Sequence, residues 1–303
     1  MNPFRGTSRT GPYFEGWYFK HQNRRGQALA LIPAIHIDAA GLRSASLQVI
    51  SNGGAWWLEY PDAQLDAAHG QLQIGPCSFS SRGASLHIEH GGLSLHGTLR
   101  YGPFTALRSD IMGPFQLFAG MQCTHGVVSM GHTLDGALIL NGAELDFSGG
   151  TGYIETDRGR SFPSAYLWTQ CSWEEPERVC LMLAEAAVPF FNGSFTGCIC
   201  SVLFRGREYR LATYRGARVE ACSASCAAIR QGKHRLEAEL LKPQGQALRA
   251  PVEGRMERTI RESLCAQVRY RFWRGAELLF QHTSQCASFE YSKSHGPGRA
   301  GPG

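Results

Sequence analysis

Residues 149–173, GGTGYIETDRGRSFPSAYLWTQCSW, crowd acids, basic groups, glycines and aromatics more densely than any other stretch of this chain. Glu155 and Asp157 stand two apart, so on an extended segment they face the same side. One carboxyl can then serve as a general acid with the other as its polar support, or the pair can bind Arg158, Arg160 or turn amides. An adjacent arginine favours the ionised carboxyl. Asp157 is therefore the poorer proton donor and Glu155 the better one. Tyr153, Phe162, Trp168 and Gln170 flank these acids as candidate walls of a binding site. A second acidic, aromatic segment lies at 11–20, GPYFEGWYFK, where Glu15 is surrounded by Tyr13, Trp17 and Tyr18. Strand alternation puts Glu15, Trp17 and Phe19 on one face and Phe14, Gly16, Tyr18 and Lys20 on the other. Glu15 is then either a buried acid beside Trp17 or a strand-end partner of a cross-strand cation. His36, His125 and His132 sit near apolar runs. They are a second set of possible acids or bases, His36 and His125 also being candidates for holding a polar group of a ligand, with an ordinary structural role as the alternative.

Other chemistries lack their residues. Ser161-Phe162-Pro163 is not a nucleophile elbow, and neither a P-loop nor a GxGxxG fingerprint occurs. Cys198-x-Cys200 and Cys222-x3-Cys226 do not repeat as a zinc set with histidines at the usual offsets, so neither metal nor cofactor is expected. The net charge of +5 divides unevenly: 9 Lys+Arg against 10 Asp+Glu in 1–150, and 21 against 15 in 151–303, giving −1 and +6. The arginines are scattered singly along alternating runs, which sets nucleic acid aside. A basic second half leaves room for peripheral membrane contact. No apolar run approaches the roughly 18 residues of a membrane helix, and the first residues lack the apolar core of a signal peptide. Ten cysteines without an export signal imply reduced thiols in a cytoplasm.

The elements that must position these residues read almost wholly as strands. Residues 44–50 alternate Ala45, Leu47 and Val49 against Ser44, Ser46 and Gln48. The pattern returns at 71–74, 84–90, 92–101, 165–173, 179–186, 195–204, 208–214, 234–241, 267–273 and 277–282. Gly53-Gly54, Gly91-Gly92 and Asn141-Gly142 are hairpin signals. Met256, Ile260 and Leu264 stand four apart and predict a short amphipathic helix over 255–264, and 61–68 predicts one or two helical turns. The glycine cluster at 141–152 predicts a domain break, and the Gly/Pro-rich 292–303 a disordered tail. Many short strands separated by turns imply an all-β fold of sandwiches or barrels around a cavity.

Four segments carry a family resemblance: GPYFEGWYFK at 11–20, SLQVI at 46–50, GGTGYIETDRGRSFPSAYLWTQC at 149–171 and ATYRGARV at 212–219. Together, and over 11–291, they resemble the tocopherol cyclase family and its bacterial members. That resemblance implies two lipocalin-like β-barrel or sandwich halves, here 1–148 and 149–291, followed by the tail 292–303. It also implies closure of a chromanol ring on a prenylated quinol, without a cofactor. The sequence departs from the family at Arg158, where Trp is usual. Such a reaction protonates an alkene and traps the tertiary cation with a phenol oxygen. It needs a carboxyl kept protonated by burial, a dry cavity, and aromatic faces near the cation. Glu155, Asp157 and Glu15 are the expected catalytic acids. Tyr13, Trp17, Tyr18, His36, His125, Tyr153, Arg158, Phe162, Trp168 and Gln170 are the expected surroundings of a lipophilic substrate. Two alternatives share the scaffold, because a fold does not fix a function: a non-catalytic binder of a lipophile, and a hydratase in which water traps the cation.

Overall fold

The computed structural model describes residues 5–68, 70–117, 121–190 and 193–293. Period-two alternation folds as expected into antiparallel strands. Gly83–His90 and Leu93–Tyr101 turn through Gly91 and Gly92, both at positive φ. Ala137–Leu140 and Ala143–Asp146 turn through Asn141 (φ 48°) and Gly142 (φ 82°), the pair of left-handed residues that a two-residue hairpin loop requires. The architecture is all-β, and no α-helix occurs among the described residues, only 3₁₀ turns such as Asp62–Gln64 and Gly113–Leu117. None of the described helical segments is long and apolar enough to cross a membrane.

The strands form two curled sheets. The first has 13 strands and the second 10. In the first, Thr151–Gly159 lies between Tyr13–Gln22 and Cys123–Asp135, so three sequence-distant strands run side by side. In the second, Ala165–Trp173 lies between Val179–Phe190 and Glu277–Lys293. The chain thus leaves the first sheet after Gly159 and enters the second at Ala165, later than the break expected at 148/149. Thr151–Gly159 belongs by its hydrogen bonds to the first sheet.

Alternation explains three apolar layers. Trp17, Phe19, Leu31, Leu47 and Phe79 fill the first sheet's interior, and Leu167, Cys171, Leu183, Val202 and Phe289 that of the second. The opposite faces meet in a third layer that includes Tyr18, Met130, Tyr153, Trp168, Met182 and Leu264. Polar groups lock this contact. Buried Lys20 donates from Nζ to Ser288 Oγ (2.9 Å), Gln170 Oε1 (3.2 Å) and the Cys286 carbonyl (3.2 Å). The Gln48 amide both accepts from the Arg249 backbone N–H (3.0 Å) and donates to its carbonyl (3.1 Å). Gly254 (φ 77°) approaches so closely that a Cβ there would lie 1.9 Å from the Ile37 carbonyl oxygen, so only glycine suits this meeting of the two sheets.

Three expectations change. Residues 255–264 are part of the strand Arg255–Arg274, not a helix. A spacing of four is also a multiple of two, so Met256, Ile260 and Leu264 satisfy the strand template equally well, and pairing with Gln246–Val252 and Glu277–Lys293 decides it. Of the one or two helical turns expected over 61–68, one is present, the 3₁₀ turn Asp62–Gln64, before the strand Leu65–Ala68. Of the expected disordered tail, Ser292 and Lys293 complete the strand Glu277–Lys293, and 294–303 lie outside the described residues. Of the thiols expected to be reduced, Cys265 and Cys286 are joined in a disulfide between adjacent strands, while the other eight are free.

Trp17 is 1% exposed at the centre of the first layer. Trp17→Ala should lower the unfolding free energy by about 3–5 kcal/mol, read from urea denaturation. A change below 1 kcal/mol, the order of a surface substitution, would contradict this packing.

Candidate functional site

A cavity of about 190 Å³ opens where the two sheets face each other. Its first-sheet wall is built from Tyr13–Gln22, Thr151–Gly159 and Cys123–Asp135. Their register sets Gly16 and His125 on either side of Asp157, and Tyr18 and Val127 on either side of Glu155. The second sheet supplies Trp168 and Tyr166, and the link at 160–164 supplies Phe162 and Pro163. Phe162 meets Phe14 and Tyr166 edge-on at centroid distances of 5.4 and 5.8 Å, and Tyr18 meets Trp168 edge-on at 5.4 Å. The cavity is therefore aromatic on both walls.

One charged constellation interrupts it. His125 Nδ1 lies 3.0 Å from Asp157 Oδ1, and His125 Nε2 lies 3.4 Å from Glu155 Oε2. The second approach lacks hydrogen-bond geometry, so Nε2 is left without a hydrogen-bond partner among the described residues. Glu155 Oε2 accepts from the Tyr153 hydroxyl (2.6 Å) and from Trp168 Nε1 (3.2 Å). Both are donors, and hydrogen bonds donated to a carboxyl group favour its ionised form. Burial of His125 disfavours its charged form, but Asp157 and Glu155 outweigh burial, and the Asp157 hydrogen bond adds to them. The balance pushes its pKa up to about 9. The group that carries a proton at neutral pH is therefore His125. Nearby Cys123 donates to Asp157 at 3.5 Å, and burial followed by Asp157 holds its thiol well above the ordinary range. His125, Glu155 and Asp157 also place one N or O donor each within 4.8 Å of one another, a geometry that could hold a metal ion. Such an ion would take the place of one imidazolium proton, since the ligating ring nitrogen must be unprotonated.

The cavity brings together seven of the residues singled out from sequence: Tyr18, His36, His125, Glu155, Asp157, Phe162 and Trp168. His36 bonds Ser46 Oγ through Nε2 (2.8 Å), and burial lowers its pKa to about 4, so its ring is neutral. Six others lie elsewhere, and alternation gives the reason for most. Glu15 and Trp17 occupy the face of their strand opposite to Phe14, Gly16 and Tyr18. Glu15 accepts instead from the Tyr13 hydroxyl (2.9 Å) and the Arg5 backbone N–H (2.8 Å), away from the cavity. That bond also removes Tyr13. Arg158 follows Ile154 to the far face of Thr151–Gly159, where its register partner is Glu15, and so is not the arginine that holds Asp157. Tyr153 supports Glu155 from behind, and Gln170 is occupied with Lys20.

Three acids and phenols of the cavity escaped sequence reasoning. Tyr166 donates to Glu290, and both line the space. Glu185 lines it as well. It is fully buried, and burial pushes its pKa up to about 7 against the opposing effect of a hydrogen bond with the Cys222 thiol. The available signal was one carboxylate inside the otherwise apolar run VCLMLAEAAVPF.

The raised His125 pKa fixes a direction for stability. Its charged form stabilises the fold fully below 6.5, and this contribution is lost as pH rises through about 9. The unfolding free energy of the wild type should therefore fall by on the order of 3 kcal/mol across that window, while His125→Gln shows no such fall. Parallel urea-denaturation profiles for the two proteins would exclude a charged His125.

The chain matches no family model and no curated protein. Solved structures share its fold at low identity. A putative AttH from Nitrosomonas europaea is similar at 10% identity with TM-score 0.55, covering 95% of this chain and 93% of that one. CghA is similar at 10% identity with TM-score 0.58, covering 94% and 90%. Kievitone hydratase from Nectria haematococca is similar at 11% identity with TM-score 0.51, covering 93% and 90%. The likeness over nearly the whole of each chain shows that the two-sheet fold is shared.

Proposed function

We propose that this protein is a proton-transfer cyclase of the tocopherol cyclase type, closing a ring on a lipophilic substrate that carries both an alkene and an internal oxygen nucleophile, such as a prenylated quinol. The observation that carries this reading is His125 set between two carboxylates, which favour its charged form, on the wall of an aromatic cavity. The four segments that resemble the tocopherol cyclase family support it, and three of them contribute residues to the cavity lining.

In this reading, His125 Nε2–H delivers its proton to the less substituted alkene carbon. The alkene π electrons form the new C–H bond, and the tertiary cation develops beside Trp168, Tyr18 and Phe162, whose π faces favour positive charge. Glu155 and Asp157 supply negative charge that no longer has to neutralise an imidazolium once the proton has left. The phenol oxygen closes the C–O bond and returns its proton to His125. Substrate and product are isomers, so the cycle consumes nothing. The acid role moves from Glu155, the better donor on sequence grounds, to His125, because Glu155 already accepts from Tyr153 and Trp168.

A second reading replaces the phenol by water. It draws on kievitone hydratase, a hydratase by name among the similar structures, and on the polar pair Tyr166 and Glu290 within the cavity.

Incubation with a panel of prenylated quinols in deuterated water, followed by mass spectrometry, tests both. Cyclisation gives an isomer with one deuterium on carbon, and hydration gives a product heavier by one water. His125→Gln should lower turnover by about 10²–10⁴-fold. Glu155→Gln, by removing one of the two anions, should move the alkaline limb of the rate profile below that of the wild type. Undiminished turnover in His125→Gln would remove His125 from the acid role. Unlabelled, unchanged substrate recovered from a complex would make the protein a lipophile binder.

A further inference from the structure

His87 and His96 take no part in the chemistry above, and neither lines the cavity. They stand nine residues apart in sequence, on the strands Gly83–His90 and Leu93–Tyr101. The hairpin through Gly91 and Gly92 sets them directly opposite each other. Along these strands Leu86, Ile88, Leu95 and Leu99 are buried, so alternation sends His87, Glu89 and His96 to the outer face of the first sheet.

The two imidazoles meet nitrogen to nitrogen. His96 Nδ1 lies 3.0 Å from His87 Nδ1, and the rings are edge-on at a centroid distance of 4.6 Å. On its other side His96 bonds through Nε2 to Glu89 Oε1 (2.5 Å), and Ser94 Oγ donates to the same oxygen (2.8 Å). A carboxylate only accepts, so Nε2 carries the hydrogen and Nδ1 of the neutral ring keeps a lone pair. A histidine tied to a carboxylate at one nitrogen and open at the other is the arrangement that holds a metal, because the carboxylate fixes the tautomer and raises the basicity of the free nitrogen. The spacing agrees. Two nitrogens bound to one ion at about 2.0–2.1 Å, with an angle of about 90–110° between them, stand about 2.9–3.4 Å apart.

We propose that His87 and His96 form a two-imidazole site for a divalent late transition metal ion, with both Nδ1 atoms as ligands and Glu89 as the positioning residue of His96. Binding requires His87 to exchange its Nδ1 hydrogen for one on Nε2, a change of tautomer with no net proton. Imidazole suits Ni²⁺, Cu²⁺ and Zn²⁺, whereas Mg²⁺ and Ca²⁺ prefer oxygen donors. The short nitrogen separation matches a right-angled pair of ligands, which favours Ni²⁺ and Cu²⁺ over tetrahedral Zn²⁺. Both rings reach solvent, so the remaining positions are open to water or to a donor from another molecule. The three-donor cluster of His125, Glu155 and Asp157 lies elsewhere, at the cavity. The inference shares no residue with the proposed function and does not rest on it.

The test titrates the untagged whole protein with nickel chloride by calorimetry at about pH 7.5, where an ordinary imidazole is neutral. The wild type should bind one Ni²⁺ per chain, and Mg²⁺ should not bind there. His87→Asn and His96→Asn should each abolish the event. Glu89→Gln, which leaves both ligands in place, should weaken it by about 10–100-fold. His125→Gln should leave it unchanged. Ni²⁺ should also raise the urea midpoint of the wild type and not that of His87→Asn, because an ion that binds only the folded hairpin stabilises it. All three side chains point outward, so the variants should match the wild-type midpoint without metal. Absence of binding in the wild type overturns the proposal. So does weak binding that survives in both histidine variants, which would be an adventitious ion only, or binding lost in His125→Gln, which would put the ion at the cavity. Undiminished affinity in Glu89→Gln overturns the positioning role.

Discussion

The hydrogen bond from Trp168 Nε1 to Glu155 Oε2 spans the gap between the two sheets, and a five-residue link makes it possible. Thr151–Gly159 is bound into the first sheet and Ala165–Trp173 into the second, so residues 160–164 hold the sheets at a short, fixed separation. The link is itself tied down. The Phe162 N–H donates to the Pro251 carbonyl (3.2 Å), Ser161 Oγ accepts from the Glu253 N–H (2.8 Å), and the Gly254 N–H donates to the Arg160 carbonyl (2.9 Å). The cavity exists because this clamp and Lys20 lock the sheets together at two places while aromatic side chains keep them apart between.

Within that clamp, electrostatics selects the protonation states. Two carboxylates on one strand face would repel at such range without a cation, and the cation is His125, drawn from a strand paired alongside. Its charge is a consequence of the acids, since burial alone would have left it neutral, as it leaves His36. Breaking such a buried arrangement by removing one partner is costly, so the constellation is both a source of chemical potential and a structural commitment. In the second sheet Glu185 shows the opposite outcome. Burial favours its neutral form, against the Cys222 hydrogen bond. Burial with and without a cation thus drives chemically similar groups to different protonation states.

Strand alternation was legible throughout the sequence, because it depends only on neighbouring residues. The positions of most strands, the hairpin at Asn141-Gly142, the pairing of Glu155 and Asp157 on one side, and the two faces of 13–20 all follow from it. The proposed helix at 255–264 shows the limit of the method: apolar residues four apart fit both periods, and only the strands available for pairing discriminate. The same limit applied at Glu15. Alternation separated Glu15 and Trp17 from Gly16 and Tyr18, but it did not say which face would meet the second sheet.

The sequence by itself determined the class of fold, the segments that build the site, and the surplus of aromatics and acids those segments carry, because these are properties of local pattern and composition. Tertiary structure alone decided which acids matter. Glu155 came to rest under Trp168, 13 residues on, and beside His125, 30 residues back, while Glu15 turned away to Tyr13 and the Arg5 backbone. Glu185, a single carboxylate in an apolar strand, became fully buried only when the sheets closed over it. A side chain's charge is set by the dielectric and the partners around it, and those partners arrive from distant parts of the chain.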